Sequence, residues 1–272
     1  MESAAITEYI DVGQLTLYGF WLFLAGLIFY LRREDKREGY PLKSEPNETT
    51  SGEVRTFEGF PAVPSPKTFK LADGREIQVP RPEKVDYNLN AKKVEPWDGA
   101  PLEPLGDPMK DGLGPAAYTV REETPDRDLE GRLKIAPLRN ATEMSVDTRD
   151  PDPRGMPVIG CDGKQGGRIL DVWADRAEKR VMYLEVEIAS GQAVSPAGGS
   201  TSETANRALL PINFARVEDD AVYVQSIQSS QFGGVPRLRD ADEITPFEED
   251  KICAYYGGGV LYATAERAEP AL

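Results

Sequence analysis

The chain has 272 residues, a formal net charge of −14 and a sequence pI near 4.7. Such an acidic surface argues against nucleic acid as a partner, because binding phosphates takes basic side chains. With no histidine, Ser-His-Asp and Cys-His catalysis and histidine-containing metal sites are excluded within this chain, and the two cysteines, Cys161 and Cys253, form no C-x-x-C or zinc spacing.

Residues 12–31 contain no charged side chain. About twenty helical residues span roughly 30 Å, so this segment is predicted to cross a membrane once. A cleaved signal peptide would begin with basic residues. Residues 1–11 instead hold Glu2, Glu8 and Asp11 and no Lys or Arg. Arg32, Arg33, Lys36 and Arg37 follow the apolar run directly, and Tyr30 stands where an interfacial aromatic would. These five residues are predicted to meet the headgroups. The basic end then stays cytoplasmic and residues 1–11 are periplasmic. Gly19 and Gly26 fall on one helical face and form a strip that admits a second helix.

Residues 32–153 read as an extended, Pro/Gly-rich cytoplasmic region. One stretch of it, TFKLADGREIQV, is predicted to be a hairpin turning at Asp73-Gly74. Beyond it, Val94, Trp97, Leu102, Leu105, Met109 and Leu113 are scattered among turn residues. That composition is unlike a flexible linker and predicts an ordered coat on another protein surface. The stretch DTRDPDPRG lacks the order of a calcium loop and reads as a turn.

From residue 154 to 244 the pattern changes to short alternating runs, RILDVWAD, MYLEVEI, ALLPINFARV and AVYVQSI, which predict a small antiparallel barrel or sandwich. The polar stretch 189–207 between two of them is predicted to be an exposed loop. Residues 245–272 are predicted to form a C-terminal helix and tail. Thr245 is its N-cap, Pro246 stands at N1 and Glu248 at N3. The triple glycine 257–259 weakens that helix and suggests close packing on a partner.

Alternation along the two longest strands puts Asp171, Trp173 and Asp175 on one face, with Tyr183, Glu185 and Glu187 beside them and Glu178 in the turn. Carboxylates this close titrate together and can pass protons near neutral pH. A solvated acidic face is the simpler reading of the same residues.

The segments FWLFLAGLIFYLRREDKREGYPL, PKTFKL, GDPMKDGLGPA, RGMPVIGCDG, DVWADRAE, YLEVE and EEDKICAYYGGGVLYATAERA follow one another in this order. On them the chain resembles, over essentially its whole length, the H subunits of purple-bacterial photosynthetic reaction centres. The resemblance implies one membrane helix, an extended region and a cytoplasmic β-barrel of the PRC type. It implies a non-catalytic subunit in the bacterial inner membrane that binds no pigment. Such a subunit caps and stabilises the L and M subunits, shields their quinone sites and supplies part of the proton route to the secondary quinone. The complex would hold bacteriochlorophyll, bacteriopheophytin, quinones and non-haem iron in L and M. A cytochrome subunit, light-harvesting complex 1 and membrane lipids are further expected partners.

Residue by residue, Asp175 and Glu178 match carboxylates on the proton path. Asp128, placed by the Lys134-Ile135 pair, matches a surface carboxylate where protons are taken up. Glu130 and Arg132 stand where some members carry histidines, so a metal-inhibition site built from histidines should be missing. The alternative reading is a membrane-tethered PRC-type barrel that recruits a soluble cytoplasmic protein.

Overall fold

The computed structural model describes residues 11–43, 56–72, 74–80, 90–97, 99–189 and 206–268. Residues 1–10 of the predicted periplasmic terminus, Asp73 of the predicted turn, residues 190–205 of the polar loop and the end of the tail lie outside these. The chain divides into two compact units, residues 1–86 with 96–99 and residues 87–95 with 100–272.

The first unit is built on α1, Val12–Asp35. The Asp11 carboxylate caps it by accepting the Gln14 N–H at 2.7 Å. None of its residues is buried, and it is the one helix among the described residues long and apolar enough to cross a membrane. The helix runs past residue 31 to Asp35, and Glu34 in this last turn accepts hydrogen bonds from Arg37 Nε at 2.7 Å and Lys67 Nζ at 3.0 Å. Two short antiparallel pairs follow. They are β1 (Leu42–Lys43) with β2 (Thr56–Phe57), and β3 (Lys67–Lys70) with β4 (Glu76–Val79). The second pair is the predicted hairpin; Gly74 in its turn takes φ +85, a conformation that costs glycine little.

Lys36 and Arg37 depart from expectation. Expected at the headgroups, they are only 5% and 9% exposed. Lys36 Nζ donates to the carbonyls of Glu58 and Pro61, and Arg37 Nη1 to those of Ser65 and Val79. A buried cation needs such partners, and here main-chain carbonyls supply them. The two side chains therefore fasten residues 58–79 to the end of α1. Tyr30, Arg32 and Arg33 remain exposed.

The second unit opens with a hairpin of β5 (Ala91–Lys93) and β6 (Leu102–Pro104). Its main sheet has seven strands: β7 (Ile135–Pro137), β8 (Pro157–Ile159), β9 (Gln165–Asp175), β10 (Arg180–Ile188), β11 (Arg207–Pro211), β12 (Ala215–Val217) and β13 (Val222–Val224). The spatial order is β11-β10-β9-β8-β13-β12, with β7 also paired to β9. The sheet curls into a half-barrel. Every pairing is antiparallel except that of β8 with β13. The core packs Val158, Ile169, Val172, Trp173, Leu184, Leu210, Ile227 and Phe232 against Ile252 and Tyr256 of α2, which spans Pro246–Tyr262.

Residues 100–153 belong to this unit, so it begins well before residue 154. Met109 and Leu113, expected on a coat, are 5% and 7% exposed, with Met109 in the unit's own core. Leu102 and Leu105 of the same stretch stay 43% and 58% exposed. An apolar residue in a turn-rich segment thus has two destinations, and composition does not tell them apart.

The predicted cap of α2 is present. Thr245 Oγ1 accepts the Glu248 N–H at 3.2 Å, and the Glu248 carboxylate accepts the Thr245 N–H at 2.9 Å. Thr245→Ala is expected to destabilise the unit by about 1 kcal/mol in urea unfolding. An unchanged midpoint would mean that packing alone holds this end.

Candidate functional site

The predicted acidic cluster is divided between two places. The first is the tip of the β9–β10 hairpin. Asp175 ends β9, opposite Ile135 of β7 and Arg180 of β10, and is 1% exposed. Its Oδ1 accepts the N–H groups of Ala177 at 2.7 Å and Glu178 at 2.9 Å, which closes the turn. Its Oδ2 lies 3.5 Å from Lys134 Nζ. Glu178 stands out of that turn with its side chain 51% exposed and pairs with Arg180 Nε at 2.9 Å. The Asp175 carboxylate is thus an interior group with one oxygen engaged by the backbone, and Glu178 is the solvent-facing carboxylate beside it.

Asp128 occupies a loop attached to the same tip. The Lys134 N–H donates to the Asp126 carbonyl and the Arg176 N–H to the Lys134 carbonyl, each at 2.8 Å, so Lys134 joins loop to hairpin. Asp128 Oδ1 accepts the N–H groups of Glu130 at 3.0 Å and Arg132 at 2.8 Å, and its Oδ2 accepts Arg132 Nε at 2.8 Å. Burial tends to raise the Asp128 pKa, but the hydrogen bonds and charge of Arg132 outweigh it and hold the carboxyl below the usual range. Asp128 therefore organises the loop as an ion-paired anion.

The residue that sequence reasoning missed is Glu249. It lies in the first turn of α2, where the helix dipole favours a charged carboxylate. Burial nonetheless pushes its pKa up; the charges of Asp126 and Asp250 add to the rise, while the Tyr183 hydrogen bond and Lys134 oppose it. Tyr183 donates its hydroxyl to Glu249 Oε2 at 2.6 Å. Burial also raises the Tyr183 hydroxyl and the neighbouring Cys253 thiol. The only trace in the sequence was the run Glu248, Glu249, Asp250, which the dipole already explains.

The second place is a locked ion network on the strand pair β9–β10, where Asp171 and Glu185 face each other in register. Glu185 is 2% exposed. It accepts hydrogen bonds from Arg139 Nη1, from Trp173 Nε1 at 3.1 Å and from Arg207 Nη1 at 2.9 Å. Arg139 Nη1 also reaches Asp171 Oδ2 at 3.1 Å, and its Nη2 reaches Asp242 Oδ1 at 2.6 Å. Every oxygen of Glu185 has a cationic partner, so this half of the cluster is structural and is not a free acidic face. Trp173, placed by alternation among the acids, is fully buried in the core. The reason is that β9 is covered on both faces near its end.

Among the described residues no group of three or more His, Cys, Asp or Glu could hold a metal ion. In the former calcium-like stretch, Asp147 pairs with Arg149 at 2.7 Å and Asp152 with Arg154 at 2.5 Å. Around Gly19 and Gly26 of α1, an added Cβ would meet no atom within 4 Å, so the strip is open.

Residues 4–140 match the family model described as the photosynthetic reaction centre, H-chain N-terminal region, and residues 147–231 match that of the PRC-barrel domain. The first match alone takes in half of the 272 residues, and the two fall in the order of the apolar helix and the curled sheet. The chain therefore belongs to the family of photosynthetic reaction centre H subunits.

Proposed function

We propose that this H subunit caps the cytoplasmic face of the L and M subunits, shields their quinone sites and carries part of the proton-uptake path through the tip of its β9–β10 hairpin. The family is a structural, membrane-associated part of a light-driven complex, and it associates with L and M. The orientation we infer has residues 1–11 periplasmic, because Arg32 and Arg33 stand exposed at one end of the apolar helix. The open face of Gly19 and Gly26 is the side on which a neighbouring membrane helix would pack.

The observation that carries the proton reading is the Asp175–Lys134 pair beside the turn that holds Glu178, with Glu249 in the electrostatic field of the same Lys134. Glu178 is exposed, Asp175 is interior and paired, and Glu249 is a carboxyl whose proton affinity burial has raised. Such a set offers a solvent-facing acceptor and an interior group able to hold a proton. Asp128, ion-paired and lowered, would act by holding the loop and attracting protons through its charge. The reduction of quinone, with two electrons and two protons, is the work of cofactors in L and M; this chain's part is delivery and exclusion of water.

The test begins with extraction of native membranes in mild detergent and recovery of the chain with its partners. Bacteriochlorophyll and bacteriopheophytin absorption is expected to travel with it, and a colourless eluate from an intact complex would favour the tethered-module reading. In the pigmented complex, Glu178→Gln is expected to slow the proton-coupled second electron transfer several-fold while leaving the first unchanged. Unaltered kinetics in the double variant Asp175→Asn with Glu178→Gln would remove the hairpin tip from the path.

A further inference from the structure

A groove along the N-terminal half of α2 has the opposite electrostatic character to the hairpin tip. It holds about 510 Å3, within the range of sites that enclose a ligand. Four cations line it, Lys110, Arg237, Arg239 and Lys251, against two carboxylates, Glu123 and Glu248. In a chain of net charge −14 this is a local reversal of sign.

Two of the cations have no carboxylate partner among the described residues. Among the described residues Arg237 donates only to main-chain carbonyls, those of Val235 at 2.9 Å, Gly233 at 3.1 Å and Phe232 at 3.4 Å, and its Nε has no partner. Desolvation lowers its pKa, the mark of a charge with too little compensation. Lys251 Nζ lies 4.0 Å from the centre of the Phe247 ring and 5.6 Å from that of Tyr118. Ring faces stabilise a cation without neutralising it. Nor do the local acids fill the role. Glu248 Oε2 accepts from Thr245 and its Oε1 from the Arg239 N–H at 2.8 Å, while Asp250 pairs with Arg121 at 2.9 Å. Glu123 stands 3.7 Å from Arg239 Nη1, and Lys110 is held by Asp107 at 3.4 Å.

We propose that this groove binds an extended acidic peptide segment, which seats a carboxylate on Lys251 in the field of Arg237 and lays its neighbouring residues on Tyr118 and Phe247. A peptide suits the groove better than a phosphate. A phosphate dianion would be repelled by Glu123 and Glu248, whereas a single carboxylate pairs with Lys251 and the adjoining peptide N–H groups can donate to Glu123. The groove is also larger than one small anion needs, and its Tyr118, Phe247 and Arg237 are of the aromatic and arginine types enriched where proteins bind proteins.

The full-length chain in mild detergent is titrated with a fluorescent extended peptide that carries one Glu among uncharged residues, and binding is followed by anisotropy. Saturable binding is expected despite the net negative charge of the protein, with none for oligolysine. Lys251→Met keeps the apolar stem on the rings and removes the charge; it is expected to weaken Kd by about tenfold or more. Lys251→Arg is expected to stay within a few-fold of the parent. An unchanged Kd in Lys251→Met overturns the site, and so does equal binding of oligolysine. Displacement of the peptide by inorganic phosphate at equal concentration would mean a simple anion site and overturns the peptide assignment.

Discussion

Arg139→Ala is expected to destabilise the C-terminal unit by about 3 kcal/mol, the low end of the range for stripping one partner from a buried ion pair. The low end applies because the Arg139 side chain is still 33% exposed. The damage falls on the carboxylates left behind. The side chains of Asp171 and Glu185 are 8% and 2% exposed, and the two residues face each other across β9 and β10. With Arg139 in place, one guanidinium joins both to Asp242. Without it, Arg207 still holds Glu185 Oε1, but Asp171 has lost its one partner at salt-bridge distance among the described residues. Like charges facing each other on neighbouring strands then repel in a medium that screens them poorly.

The double variant Arg139→Met with Glu185→Leu separates two meanings of this loss. Removing Glu185 takes away the like charge that faces Asp171, so the double variant is expected to recover only part of the stability in urea unfolding, because Asp171 stays buried without its ion-pair partner. A single-variant loss below about 1 kcal/mol would instead place the network in the class of solvated surface pairs.

This network also marks how far the sequence could be read. The strands were legible, because alternation in MYLEVEI and RILDVWAD is a local signal. So were the membrane-length helix and the cap at Thr245, each set within a few residues. The fate of the carboxylates was not local. Arg139 lies 32 positions before Asp171 and 46 before Glu185, and only the pairing of β7 with β9 brings it beside them. Register shifts between Val181 and Tyr183 and between Glu185 and Val186 further disturb the simple two-faced reading of β10. Lys36 and Arg37 show the same limit in another form. Their charge was visible, but not the four carbonyls from residues 58–79 that receive it. At the hairpin tip, alternation placed Asp175 and Glu178 and resemblance gave them their expected role, while Glu249 emerged only from its burial against Tyr183.

Gly259→Ala is expected to destabilise α2 packing by about 1–3 kcal/mol, although the same change in an isolated helix would stabilise it by about 1 kcal/mol. The reversal follows from what surrounds the glycine. A Cβ at position 259 would lie 2.5 Å from Ile227 Cγ2 and 2.6 Å from the Ser226 carbonyl oxygen. The isoleucine is fully buried and cannot turn aside without disturbing the core. The carbonyl is held in place as well, since Arg267 Nη1 donates to it at 3.2 Å and to the Gly259 carbonyl at 3.2 Å. Gly257 and Gly258 are equally confined, with the Pro115 carbonyl at 2.7 Å and Ala116 Cβ at 2.8 Å from the positions their Cβ atoms would take. The partner expected from the triple glycine is thus the chain itself: residues 115–116 on one side of α2 and residues 226–227 on another. Thermal unfolding read by near-ultraviolet circular dichroism distinguishes the two effects. A raised midpoint in Gly259→Ala would mean that helix propensity dominates and that Ile227 and Ser226 can retreat. A lowered midpoint would mean that the glycine is required for α2 to lie this close to the sheet-side loop.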